Sequence, residues 1–378
     1  MGAMTDPVSP APTVLFDLDG TLTDSAEGVV DGFRHACHTV GVTPPDGDLT
    51  RLLVGPPMVD SFAALGMDEA TTERALAAYT EYYDRTGWAQ NAVFDGIAEL
   101  LDELRARGLR LAVATSKSEI RAVRILEHFG LADRFAVIAG ASADGTRRAK
   151  ADVIAHALAG LDVAGEQVLT HIGDREHDVA GALAHGIAPT WVSWGYGDRR
   201  EAAGARWTVD DPAALRKVIM DQTADLHVTF VCTGNICRSP MAERILADLL
   251  DREGLGDRVK VTSAGIMDWH TGKPADPRTD DELRVGGYST GHAAAQFGPA
   301  HAEADLIVAM DRGHFRDLPG AGADPAKVRL MRSFDPEADT EDVDDPYYGG
   351  PENFVRTRRE LEAAMPALLD WIRDSLAR

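Results

Sequence analysis

The sequence predicts an α/β protein built from two domains, and three observations carry that expectation. Short β-rich apolar runs alternate with helical patterns through most of the chain. The alternation occurs in two halves whose motifs and loop placement differ. At 378 residues the chain is also longer than one hydrophobic core comfortably organises. Strands of the first half are read at Thr13–Asp17, Leu109–Thr115, Phe135–Ala139, Val168–Gly173 and Pro189–Ser193. Between Asp24 and Asn91 the pattern changes to helical periodicity, with a Gly55-Pro56-Pro57 turn signal and no convincing strand, which predicts an inserted helical lobe. Strands of the second half are read at His227–Val231, Lys260–Ser263, Asp305–Ala309 and Lys327–Ser333, and an amphipathic helix at Phe354–Leu376 closes the chain. A polar segment, Gly204–Asp225, with a short helical pattern at Pro212–Met220, separates the halves. The boundary falls near Asp221–Leu226, giving domains at 13–221 and 226–378. No internal repeat of solenoid period is present.

Composition narrows the class but not the chemistry. Hydrophobic content of 44% and charged content of 26% are ordinary for a globular protein. Apolar runs such as Leu111–Ala114 fall far short of the ~20 residues that span a bilayer. The opening residues MGAMTDPVSPAP have neither the basic nor the apolar part of a secretory signal, and Met4 is the expected natural start. Three cysteines without framework spacing suit a reducing cytoplasm, the expected location. A net charge of −23 argues against sequence-independent nucleic-acid binding, so neither nucleic acid nor a membrane is an expected partner. Only six lysines occur, Lys117, Lys150, Lys217, Lys260, Lys273 and Lys327, which gives a lysine within a motif extra weight.

In the first half, "VLFDLDGTLTDS" ends an apolar strand at Asp17 and places Asp19 two residues on. Both carboxylates leave the carboxyl end of a strand, where open α/β sheets bind ligands. One can attack phosphorus while the other moves a proton. "HIGDREHD" adds Asp174 after another apolar strand and Asp178 one helical turn later, and such hard oxygens suit Mg²⁺. Thr115 and Lys150 supply a hydroxyl and a cation for phosphate oxygens. Singly, strand-end Asp and Gly residues are ordinary turn formers; four elements in this order are not.

Together these elements resemble the haloacid-dehalogenase-like phosphohydrolases, particularly the phosphoglycolate-phosphatase-like branch, across 13–221. DLDGT at 17–21, Thr115, Lys150 and the GDxxxD of 173–178 match that family's four motifs. The resemblance implies a Rossmann-like core with residues 24–92 as its helical cap. It implies Asp17 as the nucleophile that forms an aspartyl-phosphate, Asp19 as acid/base, and Thr115 and Lys150 as phosphate ligands. Mg²⁺ would be held by Asp17, the Asp19 carbonyl, Asp174 and Asp178. Arg147 or Arg148 could share the part of Lys150. Cys37, on the cap, is read as an inert packed thiol. Arg51 and Met58, beside the turn, either face substrate or serve surface and packing.

In the second half, "FVCTGNICRSPMAE" puts Cys232 at a strand end, then Gly234 and Asn235, then Arg238 and Ser239, with a helix opening at Pro240. A structural zinc site needs about four ligands, and this half has two cysteines. The loop instead suits an anion nest: glycine and asparagine tolerate φ > 0, so backbone N–H groups can converge. The helix N-terminus favours negative charge there, and Pro240 forfeits no hydrogen bond in a first turn. Arg238 can grip phosphate bidentately, and Ser239 can donate to the sulfur of Cys232, the expected nucleophile.

Cys-x5-Arg-Ser resembles the low-molecular-weight protein tyrosine phosphatases, and the resemblance spans 226–378, with SAGIMDWH at 263–270, ADLIVAMD at 304–311 and DDPYYGG at 344–350. It implies a four-stranded parallel α/β domain without a cofactor and tyrosine-phosphorylated proteins as partners. It makes Asp345 the general acid, though Asp345 also ends an acidic stretch. Ile236 stands where related arginine phosphatases carry threonine, favouring phosphotyrosine. Trp269 and Tyr347 match walls beside the phenol ring, and as isolated aromatics they would be packing residues. His292 matches the histidine that holds Asn235, the other reading being a surface histidine. HAAAQ at 292–296 lacks an arginine usual among relatives, which is expected to loosen that segment. Cys237 is either packing or a resolving thiol for oxidised Cys232.

The combined expectation is a two-domain phosphatase. The second half hydrolyses protein phosphotyrosine through a cysteinyl-phosphate, and the first acts, with Mg²⁺, on an unnamed phosphorylated small molecule. The first half's other readings are a non-catalytic regulatory or targeting module, or a phosphotransferase or mutase. Arsenate reduction is set aside because no cysteine follows Cys237.

Overall fold

The computed structural model describes residues 11–55 and 58–378, so the opening segment with Met4 and the Pro56-Pro57 step of the turn lie outside the described residues. The chain divides into two compact units, residues 1–219 and 220–378.

In the first unit β1 (Thr13–Phe16) leads to β2 (Thr23–Asp24). Four helices follow: α1 (Ala26–Thr39), α2 (Thr50–Leu53), α3 (Met58–Ala64) and α4 (Glu69–Arg85). Strand β3 (Ala92–Val93) then returns to pair antiparallel with β2. This two-residue ribbon marks where the chain leaves and re-enters the core, and it is too short to register as a strand in the sequence. Helices and strands alternate thereafter: α5 (Ile97–Ala106), β4 (Arg110–Ser118), α6 (Glu119–His128), β5 (Val137–Ala141) and α7 (Lys150–Leu161). The remainder is β6 (Val168–Gly173), α8 (Glu176–Leu183), β7 (Pro189–Val192) and β8 (Trp207–Val209).

The sheet has the order β5-β4-β1-β6-β7-β8, and every pairing in it is parallel. All four residues of β1 are buried, as expected of a central parallel strand covered on both faces. The sequence reading placed Gly204–Asp225 between the domains; residues 207–209 instead form the edge strand β8, which three residues could not signal. The helical lobe has its own core, in which Phe33 and Phe62 stack at 5.2 Å and Cys37 is fully buried. Met58 packs on that core, and Arg51 reaches Asp198 at 3.8 Å from an exposed position.

Helix α9 (Pro212–Thr223) crosses the boundary in sequence. The second unit runs β9 (Leu226–Cys232), α10 (Arg238–Arg252), β10 (Val259–Gly265), α11 (Pro277–Gly286) and α12 (Pro299–Ala302). It continues through β11 (Leu306–Ala309), α13 (Arg312–Asp317), β12 (Val328–Leu330) and α14 (Pro351–Leu376). Its four strands are parallel in the order β10-β9-β11-β12. Alternation along β9 sorts its side chains: Val228, Phe230 and Cys232 join one core with α10 and α14, while Val231 joins the other. The strand expected at 327–333 stops at Leu330, and Met331–Phe334 turn as a 3-10 helix. Among the described residues no helix is long and apolar enough to cross a membrane.

Candidate active sites

In the first unit β1 lies between β4 and β6, so crossovers leave it in both directions and a crevice opens at its carboxyl end. Asp17 sits there, Asp174 follows β6, and Asp178 lies in the first turn of α8. Their carboxylates are buried, with ligand oxygens within 4.8 Å of one another. Gly173 makes that approach possible, since a Cβ there would lie 2.3 Å from the Asp178 carboxyl carbon. Lys150, the first residue of α7, reaches Asp17 at 2.8 Å and Asp178 at 2.6 Å and donates to the Ala114 carbonyl at 3.1 Å. Burial pushes Asp17 up against the pull of Lys150, with Asp178 adding to the rise. Asp174 is raised well above the usual carboxylate range by burial and by the charges of Asp178 and Asp17. Asp178 is held low because Lys150 outweighs its burial penalty together with neighbouring histidines.

These residues fit a divalent cation. Asp174 Oδ1 is buried without a hydrogen-bond partner among the described residues, and the donors are all hard oxygens of the kind Mg²⁺ takes. The remaining Asp174 groups are engaged: Oδ2 accepts from the Tyr196 N–H at 2.7 Å and the carbonyl from Trp191 Nε1 at 2.6 Å. Thr115 is buried in β4, and its Oγ1 accepts from the Lys117 N–H at 3.2 Å.

Lys117 is the residue that sequence reasoning missed. Its ammonium meets Asp19 at 2.8 Å and donates to the Tyr83 hydroxyl of α4 at 2.9 Å. Burial would lower its pKa, yet Asp19 and the two tyrosines Tyr83 and Tyr79 more than reverse that and keep it charged. Only its scarcity and its place two residues after Thr115 could have marked it. Arg147 turns to Glu119 at 2.8 Å, which leaves Lys150 as the cation on Asp17.

In the second unit Cys232 ends β9, and Arg238, rather than Pro240, opens α10. Pro240 is still within the first turn, where its missing N–H has no intrahelical partner to lose. Asn235 alone supplies the left-handed turn, with φ 56°; Gly234 is not left-handed. Gly234 is needed for space, because a Cβ there would stand 2.8 Å from the His270 ring.

The Cys232 sulfur lies 3.0 Å from Ser239 Oγ and accepts from the Asn235 N–H at 3.3 Å. Ser239 Oγ also accepts from Asn235 Nδ2 at 2.9 Å, so its one proton is left for the sulfur or for the Ala264 carbonyl, which lies farther off at 3.4 Å. Asn235 is fully buried and clamped on every side. Its Nδ2 donates to Ser263 at 2.8 Å, its Oδ1 accepts from the Ala295 N–H at 2.8 Å, and His292 Nε2 lies 2.9 Å from its carbonyl. Burial lowers the His292 pKa. The 292–296 segment, expected to be loose, is held by hydrogen bonds from Gly265 to Ala295 and from Ala294 to Lys273, both at 2.8 Å.

Ile236 is partly buried against the core, and its carbonyl accepts from the Asp276 N–H at 2.8 Å. Cys237 is buried in that core as a free thiol, pushed up to about 12 by burial and then by the Asp276 charge. Arg238 is almost wholly buried and pairs with two carboxylates, Asp311 and Asp345, each at 2.8 Å. Trp269 and Tyr347 keep exposed rings, at 61% and 40%, and Tyr347 packs edge-on to Tyr348 at 4.9 Å.

Comparison with known proteins follows this division. Residues 227–378 match the family described as low molecular weight phosphotyrosine protein phosphatase, and residues 14–192 match haloacid dehalogenase-like hydrolase. A low molecular weight protein-tyrosine phosphatase A of Mycobacterium tuberculosis is 54% identical over 155 residues, 40% of this chain and 95% of that protein. A solved predicted phosphatase from Clostridium acetobutylicum is 39% identical, with TM-score 0.53, over 56% of this chain and all of that one. The chain belongs to both families. The haloacid-dehalogenase-like part is also 56% identical, over 184 residues, to a tyrosine-protein kinase PtkA of M. tuberculosis; the match takes 49% of this chain and only 62% of that relative's length. The chain thus carries a low-molecular-weight protein-tyrosine-phosphatase domain and a haloacid-dehalogenase-like hydrolase domain.

Proposed function

We propose that the chain, through domains at 13–221 and 226–378, hydrolyses protein phosphotyrosine with its second half and a phosphorylated small molecule with its first. The observation that carries the phosphotyrosine reading is the Cys232 sulfur held by Ser239 and Asn235 at the mouth of α10, with Arg238 at the helix start. Cys232 attacks phosphorus, the sulfur–phosphorus bond forms, and the bond to the phenolic oxygen breaks with its electron pair going to oxygen. Asp345 protonates that oxygen; it then takes a proton from water as water displaces the sulfur and releases phosphate. Asp345 sits on Arg238 Nη2, and a phosphate that takes Nη2 frees the carboxyl for the leaving group. Trp269 and Tyr347 supply walls for the ring, and Ile236 sets the preference for a phenol.

In the first half Asp17 attacks phosphorus to give an aspartyl-phosphate as the bond to the leaving oxygen breaks. Asp19 protonates that oxygen and then takes a proton from the water that displaces Asp17 and releases phosphate, and Lys150 and Thr115 hold phosphoryl oxygens. Mg²⁺ held by Asp17, the Asp19 carbonyl, Asp174 and Asp178 supplies, when bound, positive charge against those oxygens. A second reading draws on the kinase-named relative: the phosphoryl group on Asp17 passes to a tyrosine hydroxyl whose proton goes to Asp19.

A phosphate-release screen on phosphometabolites and phosphotyrosyl peptides tests both halves. Cys232→Ser should abolish peptide turnover alone and Asp17→Asn metabolite turnover alone. Peptide hydrolysis that survives Cys232→Ser overturns the main reading. Phosphotyrosine that accumulates in the Cys232→Ser protein and vanishes with Asp17→Asn favours transfer over hydrolysis.

A further inference from the structure

We propose that His314 is a positioning residue for the phosphotyrosine reaction, holding Thr233 and Asp311 so that Arg238 meets phosphate as a fixed fork. The inference rests on the phosphotyrosine reading above. Asp311 caps α13: its Oδ1 accepts from the His314 N–H at 2.9 Å. The cap thereby sets the His314 ring, 6% exposed, behind the loop that follows Cys232. Its Nε2 lies 2.9 Å from Thr233 Oγ1, and its Nδ1 lies 2.9 Å from Asp311 Oδ1. Thr233 Oγ1 in turn accepts from Arg238 Nη2 at 3.4 Å, and Asp311 Oδ2 accepts from Arg238 Nη1 at 2.8 Å.

Four side chains therefore close a ring: Arg238 to Thr233, Thr233 to His314, His314 to Asp311, and Asp311 back to Arg238. With the imidazole proton on Nδ1, Nε2 accepts the single proton of the threonine hydroxyl, and Nδ1 faces Asp311 Oδ1 as a close polar contact rather than an aligned hydrogen bond. Burial would push Asp311 up, but the His314 ring and backbone N–H, with the Arg238 charge, hold it well below the usual range.

The ring matters at the moment phosphate arrives. Arg238 Nη2 contacts Asp345 and Thr233, and phosphate displaces Asp345. Thr233 then remains to fix one arm of the fork, while Asp311 and the Val343 carbonyl fix the other. A guanidinium already oriented for phosphate loses less freedom in the transition state. The two ring nitrogens of His314 let one side chain reach Asp311 and Thr233 at once.

The test is a double-mutant cycle in the full chain with His314→Ala, Thr233→Val, the double variant and His314→Gln. Each single variant should lower kcat/KM on a phosphotyrosyl peptide about tenfold, mostly in kcat, and the double variant no further, as coupled neighbours do. The loss should be equal on an aryl phosphate with an acidic phenol, because the leaving group is not involved. His314→Gln should recover part of it by keeping a polar partner for Thr233. Losses that multiply, or a His314→Ala effect within about twofold, overturn the proposal. Calorimetric affinity for inorganic phosphate gives a readout free of turnover: His314→Ala should weaken it, and an unchanged affinity also overturns the proposal. A wild-type protein inert on phosphotyrosine would instead sink the phosphotyrosine reading and leave the phosphate measurement to decide this one. If His314→Ala does not fold, Thr233→Val and His314→Gln carry the cycle.

Discussion

Two partners compete for the Asp345 carboxyl, which pairs with Arg238 and in the proposed chemistry must protonate a phenolate. Asp345→Asn should slow phosphotyrosine hydrolysis by roughly 10²–10⁴, a general acid's usual contribution, and less on esters whose leaving group needs no proton. Equal slowing on both would assign Asp345 to structure. Cys237 is buried, and burial pushes its thiol up to about 12, which works against the thiolate that a resolving attack needs. If Cys237 is the resolving thiol, peroxide should silence the second half reversibly through a 232–237 disulfide while the first half keeps working. Full recovery of a Cys237→Ser variant by thiol reductant would make Cys237 packing alone. Lys117 yields a prediction that no motif offered. Lys117→Met strips Asp19 of its buried cation and should cut Asp17-dependent turnover roughly tenfold or more, as an orphaned buried charge would. Tyr83→Phe should cut it less, because the ion pair survives; a reversed order would mean that the lysine only fastens α4 to the core. The motif residues could be read because each repeats a fixed spacing along one segment. Lys117 could not, because its partners lie 98 residues before it in Asp19 and 34 before it in Tyr83.

At the scale of elements, β9 and β10 carry a polar chain across their pairing. His227 Nε2 lies 2.8 Å from Thr262 Oγ1, which donates to Thr229 Oγ1 at 2.9 Å. Burial, aided by the charges of Lys260 and His301, pushes His227 down to about 4. A histidine depressed in the folded state protonates first in the unfolded chain. Its stabilisation is therefore complete above the ordinary histidine pKa of about 6.5 and is lost as pH falls towards about 4. Hydrogen-exchange protection factors at β9 and β10 amides should fall as pH drops across that window in wild type, and less in His227→Gln. Parallel pH profiles for the two proteins would remove His227 from the account. Long strands such as Val168–Gly173 were legible because apolar runs bounded by turn residues announce themselves. The edge strand β8 and the β2–β3 ribbon were not: with two or three residues each, their backbone pairs through partners elsewhere in the sequence.

For the whole molecule, two chemistries on one chain should separate by chelation. Removing Mg²⁺ with EDTA should abolish Asp17-dependent turnover and leave phosphotyrosine hydrolysis largely intact, since among the described residues only the first site gathers three buried carboxylates. Equal loss of both activities in protein that stays folded would defeat the assignment. The sequence by itself determined the α/β class, the helical insert, the strand-end aspartates and the Cys-x5-Arg loop, because periodicity, turn residues and motif spacing are local properties of a chain. Tertiary structure alone decided which groups share a site: Lys117 with Asp19 and Tyr83, and Asp311 with His314, Thr233 and Arg238. It also decided that Asn235, not Gly234, takes the left-handed turn. Those choices depend on which neighbour buries a charge and which donor finds an acceptor across the sheet, and neither is written in spacing along one strand.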